Sequence, residues 1–262
     1  MDSIVLSPKE LLVLASKMGA KRFYGIQDPF RGMTQNEIRT ELPEIQLQLE
    51  KKGLAMLGFD HSFALTPMCE GIISVCILCE QYIAVDSIVS GTVQPKALLY
   101  FRDGEIVFLH ELVGDLELRR VSSTEAATYL IRSGFSSCTD STEEICSARI
   151  SQSLLSDVRN MESQVGVDAL SKNGCSPKIA QALVMGLHQE CGYTSLVAVD
   201  FKDHTFKNVI CVIAPDGNLR LIPDEEENIW QATWVSKENV RNEVEAIIKG
   251  FALFEEGKNA SL

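Results

Sequence analysis

The 262-residue chain has no uninterrupted apolar run of 18 residues, so no transmembrane helix is expected. It is also short of positive charge. Lys and Arg total 24 against 36 Asp and Glu, a net charge of −12, which argues against nucleic acid and anionic membrane surfaces as partners. Residues 1–60 carry eight basic and eight acidic side chains, so there is no basic N-terminal arm and the acidity lies in 61–262. The start, MDSIVLSPKELLVLASKMG, lacks a basic segment, and Lys9 and Glu10 interrupt its apolar residues, so a secretory signal is not expected. GxSxG, HExxH, GxxxxGK[ST] and a strand-linked GxGxxG are all missing. With only four histidines, no catalytic residue, metal or cofactor is expected. Eight cysteines are too few for a disulfide scaffold and mostly sit in apolar patterns, which predicts reduced thiols and a cytoplasmic protein. The Cys76–Cys79 CxxC has no second pair and falls inside an apolar helical pattern, so it reads as core.

What is present is enough for a sizeable core, at 45% hydrophobic residues. Ser7-Pro8-Lys9-Glu10 is a capping box that opens a helix with Leu11, Leu14, Ala15 and Met18 on one face. Thr34-Gln35-Asn36-Glu37 opens a second helix, which Pro43 is expected to kink or interrupt. KKGLAMLGFDHSFALTP then reads as a helix end, a two-stranded wing with His61 at its tip, and a helix start at Thr66-Pro67 running about 17 residues by the same cap logic. ALLYF-RDG-EIVFL is a hairpin on Asp103-Gly104, followed by the strand LELRRV and a helix capped at Ser122. Residues 135–142 read as a surface linker. Residues 143–170 read as one helix striped by Ile150, Leu154, Val158, Met161 and Val165, and Pro177 starts another.

From residue 193 the pattern returns, with three strand-like runs and then a Ser236-capped helix. Phe101-Arg102-Asp103 aligns with Phe201-Lys202-Asp203, and Val121-Ser122 with Val235-Ser236. The length difference is assigned to an acidic insertion, PDEEENIWQAT. The expected fold is α+β: an antiparallel sheet of two similar meander-plus-helix halves in quasi-two-fold relation, flanked by helices, with a winged-helix-like N-terminal segment. The segments are 1–92, 93–134, 135–192 and 193–262 within a single domain.

Candidate partner-binding residues follow from exposure and chemistry. The insertion offers Glu225, Glu226 and Trp230, an acidic run beside a potential aromatic anchor. The last helix carries Val244, Ile247, Ile248 and Phe251 on one face, extended by Phe254, a surface suited to core packing or to docking a helix.

The order of these segments resembles the EspG family, cytoplasmic chaperones of type VII secretion: LSPKELLVLASKMG, the GIQDPF loop, LEKKGLAML, the LTP helix and two meander-plus-helix halves. The resemblance covers nearly the whole length and rests on pattern rather than on one diagnostic motif. It implies a non-enzymatic, cofactor-free chaperone that binds the tip of a helical hairpin (PPE-like, or WXG- or LXG-like) and keeps it soluble; a homodimer is allowed. It also implies substrate contact through a loop after the second strand of the first half, here the short turn containing Val113, Gly114 and Asp115. Two other readings stand beside it. One is a winged-helix regulator with a C-terminal sensing domain, which the net −1 charge of helix 34–52 disfavours. The other is a small-ligand binder or enzyme with a pocket between the halves.

Overall fold

The computed structural model describes residues 2–20, 23–58, 63–89, 91–138, 146–224 and 226–256, with 252–256 described by backbone alone. In chain order the first half comprises β1 (Ser3–Leu6), α1 (Pro8–Lys17), α2 (Gln35–Lys51), β2 (Ala55–Leu57), β3 (Phe63–Leu65), α3 (Pro67–Ile77), β4 (Gln81–Val89), β5 (Thr92–Val93), β6 (Ala97–Arg102), β7 (Glu105–Glu111), β8 (Leu116–Arg120) and α4 (Ser123–Gly134). The second half comprises β9 (Ser147–Ser151), α5 (Gln152–Val158), α6 (Ser163–Lys172), α7 (Pro177–Leu187), β10 (Gly192–Asp200), β11 (Thr205–Ala214), β12 (Gly217–Asp224), β13 (Ile229–Val235) and α8 (Lys237–Glu256).

The expected helix starts form as their chemistry dictates. Ser7, Thr34 and Ser122 each close a full capping box with Glu10, Glu37 and Glu125. Asp103 and Gly104 both take positive φ, as a two-residue hairpin turn with right-handed strand twist requires. The two-stranded wing, β2 with β3, also forms between α2 and α3; its predicted tip, His61, lies outside the described residues.

One antiparallel sheet runs β1-β8-β7-β6-β4-β10-β11-β12-β13-β9, with β5 paired to the end of β4. The order is symmetric about the β4–β10 seam. Each half runs strand, helices, four meander strands, helix. The offset between equivalent positions grows only from 110 at the Thr66 and Ser176 caps to 114 at the Ser122 and Ser236 caps. This confirms the two similar halves and corrects their register. Asp103-Gly104 is equivalent to Asp216-Gly217, so aligning Phe101–Asp103 with Phe201–Asp203 slips one strand. The assigned insertion, 223–233, in fact takes in the end of β12 and most of β13, a strand paired along its whole length to β12 and over Ile229–Thr233 to β9.

Four other expectations are corrected. The Thr66 helix stops after 11 residues, because QYIAVDSIV alternates buried and open positions and becomes β4 between β6 and β10. The single helix over 143–170 is β9, α5 and α6. Residues 147–151 alternate in burial and pair with β13, Ser151 caps α5, and a new helix begins after Glu162. Pro43 does not interrupt α2, which is continuous from Gln35 to Lys51. In the stretch read as a linker, Phe135 and Cys138 are buried core; 139–142 lie outside the described residues.

The core has three parts. On one face of the sheet α1–α3 cover β6, β7 and β8, while α5–α7 cover β11, β12 and β13. On the opposite face α4 and α8 cover the middle of the sheet. Cys76 and Cys79 belong to the first part, as expected. Burial raises both thiols, Cys79 to about 12, so neither is a thiolate near neutrality.

The seam is closed at one end by a polar lock. The Gln81 amide donates to Asp200 Oδ2 at 2.5 Å, and the Lys202 and Asp203 N–H groups donate to Oδ1 at 2.9 and 3.0 Å. Burial alone would raise the Asp200 pKa, but these donors together with the charge of Lys202 lower it overall. A lowered folded pKa gives stabilisation that is full above the unfolded value, about 3.9, and is lost as pH falls through the folded value. Asp200→Asn is therefore expected to cost about 1–3 kcal/mol at pH 7, a difference that closes below about pH 4. Urea unfolding at both pH values checks this; a gap that persists in acid contradicts it.

Candidate partner-binding trough

Side chains of β4 and β10 alternate between the two faces of the sheet. Ile83, Val85, Leu196 and Ala198 point to α4 and α8 and are buried. Tyr82, Ala84, Ile88, Tyr193, Ser195, Val197 and Val199 point the other way and are only half-buried, and Asp86 is exposed. The helical groups cover them only in part: Tyr82 and Ala84 pack against the first part of the core, and Ile88 and Tyr193 lie beside α5 and α7. Strands β6 and β11, on which α3 and α7 pack, stand three strand spacings apart, about 14 Å. Each flanking helix with its side chains reaches about 5–6 Å from its axis, so the strip left open between them is roughly a few ångströms wide, room for a row of side chains from an apolar tip rather than for a whole helix.

An aromatic stack forms one wall. Tyr24 lies 4.5 Å from Phe201 and 6.0 Å from Tyr82, and Tyr82 lies 5.7 Å from Phe201, centroid to centroid. The Tyr100 hydroxyl donates to the Tyr24 carbonyl at 2.6 Å and pins this loop to the sheet. Gly25 makes the close approach possible: its φ is +78°, and a Cβ there would sit 2.7 Å from Leu98 Cδ1. Burial, with Cys79, Asp86 and Tyr24 nearby, raises the Tyr82 phenol, which stays a neutral hydrogen-bonding group.

At the other end the trough deepens into a cavity of about 410 Å³ under α5 and α7. Ile88, Leu155, Leu183, Leu187, Tyr193, Ile210 and Trp230 line it, with Gln152, Ser156, Arg159 and Gln189 at its polar edge. Gly186 lets α7 descend onto β11, since a Cβ would meet Val212 at 2.7 and 2.8 Å. Tyr82 and Tyr193 are equivalent positions of the two halves, so each end of the trough carries the same ring. The surface is apolar with few charges, suited to an apolar helical tip rather than to phosphate.

Of the residues expected from sequence, only Trp230 lies here, half-buried in β13. Val113 is fully exposed on the β7–β8 turn, with Gly114 at φ +84° and the Asp115 carbonyl accepting from Leu112. Glu226 is exposed on the β12–β13 turn, and Glu225 lies outside the described residues. These two turns are equivalent in the two halves but project from opposite ends of the sheet, with β6, β4, β10 and β11 between them. They form no common patch. Phe251 packs on the opposite face, edge-on to Phe101 at 5.5 Å, and is core. The Phe254 side chain lies outside those described. Ile88, Tyr193, Leu183 and Ile210 were missed. The shared strand alternation of QYIAVDSIV and GYTSLVAVD could have found Ile88 and Tyr193, whereas Leu183 and Ile210 lie on other elements and carried no such signal.

No protein-family model matches the chain, and no curated protein does. Among solved structures, HtdX (Rv0241c) of Mycobacterium tuberculosis gives a TM-score of only 0.17 at 9% identity over 88% of this chain and 98% of that one, and carries no argument. The Mycobacterium tuberculosis type VII secretion system chaperone EspG5, solved in complex with the PE25-PPE41 dimer, is similar over 95% of both chains, with a TM-score of 0.65 and 12% identity. The chain thus has the fold of the secretion chaperone EspG5.

Proposed function

We propose that this chain is a non-enzymatic chaperone that holds the apolar tip of a secreted helical hairpin in the trough over β4 and β10, before export from the cytoplasm. The observation that supports this most is the half-buried apolar strip along β4 and β10, walled by the Tyr24 loop at one end and by α5 and α7 at the other, in a fold shared over 95% of both chains with a secretion chaperone solved with a PE25-PPE41 dimer. A free hairpin tip exposes apolar area and aggregates, and covering it needs a preformed groove rather than chemistry. The partner is helical and PPE-, WXG- or LXG-like.

Co-expression with helical-hairpin secreted proteins of the same host is the test. The expected result is a one-to-one complex by light scattering, with the hairpin protein soluble only when the chain is present. Hairpin proteins that stay equally soluble alone and never co-elute would refute the reading.

A further inference from the structure

On the face opposite the trough, α4 and α8 leave a cleft of about 430 Å³ between them. The offset of 114 that relates these helices pairs Ser123 with Lys237, Ala127 with Arg241 and Ile131 with Glu245. The two walls therefore differ sharply in chemistry. On α4 the wall is made of the small side chains Ser123, Thr124, Ala127 and Thr128, with Ile131 its one large apolar residue. On α8 it reads Lys237, Arg241, Glu245 and Lys249, a row at four-residue spacing about 18 Å long. Arg132 adds a fourth cation from the α4 side.

The charges are only partly balanced. Glu245 pairs with Arg241 at 2.9 Å and with Lys249 at 3.9 Å. Glu238 borders the same row, so among the described residues four cations face two carboxylates, in a chain whose net charge is −12. Crowding like charges disfavours the folded state slightly, and an opposite charge from outside relieves it. Cations one helical turn apart stand about 6 Å from each other, the spacing of carboxylates at i and i+4 on a helix.

We propose that this cleft binds an acidic amphipathic helix of a partner protein. Its apolar stripe lies on Ile131 and the small side chains beside it on α4, and its carboxylates meet Lys237, Arg241 and Arg132. No aromatic ring lines the cleft to stack a nucleotide base, and the chain's overall negative charge opposes an anionic membrane. The site is independent of the trough, so the chain would hold two proteins on opposite faces of one sheet.

The test uses the full chain and a fluorescein-labelled four-turn helical peptide with glutamates at i, i+4 and i+8 beside a leucine stripe, read by anisotropy. Binding is expected, weakening at least about tenfold in R132E/K237E and on raising NaCl from about 50 to about 300 mM. A peptide with Lys for Glu should bind R132E/K237E better than the unmodified chain. Ile210→Glu, in the trough, should leave this binding unchanged, which separates its failure from that of the chaperone reading. Both cations face solvent; if the double variant unfolds early, R132Q/K237Q is read instead. Unchanged affinity in the variants, or equal binding of a Gln-for-Glu peptide, overturns the proposal. So does displacement by inorganic pyrophosphate at its own saturating concentration, or loss of phosphatidylserine-vesicle binding in the same variants.

Discussion

Ile210→Glu is expected to abolish capture of a helical-hairpin partner, weakening it at least about a hundredfold, or about 2.7 kcal/mol. Ile210 lies on β11 in the floor of the cavity, opposite Ser195 of β10 and beside Tyr193 and Ile88. It is half-buried in the free chain, so a carboxylate there can still reach water. Once an apolar tip covers the cavity, the charge is desolvated, with Arg159 at the polar edge the one cation among the lining residues, and the desolvation cost falls on the complex alone. The thermal midpoint should move by no more than a few degrees. Val113→Glu is the informative companion. Val113 is fully exposed on the β7–β8 turn, distant from the cavity, and the charge should change affinity by less than about threefold. Calorimetric titration of both variants decides the matter. If Val113→Glu weakens binding and Ile210→Glu does not, the contact runs through the turn, as the family resemblance implied, and the trough is not the site.

The contrast between those two residues reflects what a sequence carries. Signals made by neighbours in the chain were legible: three capping boxes, the Asp103-Gly104 turn, the wing, and the recurrence of meander and helix. Signals that depend on distant partners were misread. QYIAVDSIV follows an apolar helix with no Gly or Pro between, so its period of two was absorbed into the period of the helix. The stretch at 147–151 is a strand because β13 offers it an edge, and that edge comes from residues some eighty positions later. Taking β13 for an insertion then slipped the register between the halves. The trough was illegible for the same reason. Its floor comes from β4, β10 and β11 and its walls from the 23–33 loop, α5 and α7, so no local window contains it. Val113–Asp115 drew attention through the family resemblance and the acidic run at 225–226 through its local composition, whereas concavity is not readable locally.

Gly134→Ala is expected to destabilise the fold by about 1–2 kcal/mol, although helix propensity alone argues for the opposite sign. Replacing Gly by Ala inside a helix gains up to about 1 kcal/mol, and less at the last position, which Gly134 occupies in α4. Against that gain, a Cβ here would sit 2.5 Å from Val85 Cγ1 and 2.9 Å from Thr194 Cγ2. Both neighbours are buried, β-branched and restricted at χ1, so neither can swing clear. Overpacking of this kind costs about 1–3 kcal/mol, more than propensity returns. The helix end cannot simply lift, because Thr194 Oγ1 donates to the Gly134 carbonyl at 2.5 Å and is held by the Ser87 hydroxyl at 3.2 Å. For a chain of this size the thermal midpoint should fall by roughly 2–8 °C, and Gly134→Leu should lower it further. A rise in midpoint for Gly134→Ala would mean that the seam has room. Val85 and Thr194 stand on β4 and β10, the two strands that join the halves and whose other face floors the trough. Gly134→Leu should therefore lose partner binding together with stability, whereas Ile210→Glu should lose binding alone. Measured side by side, the two variants separate a site that has been blocked from a sheet that no longer presents one.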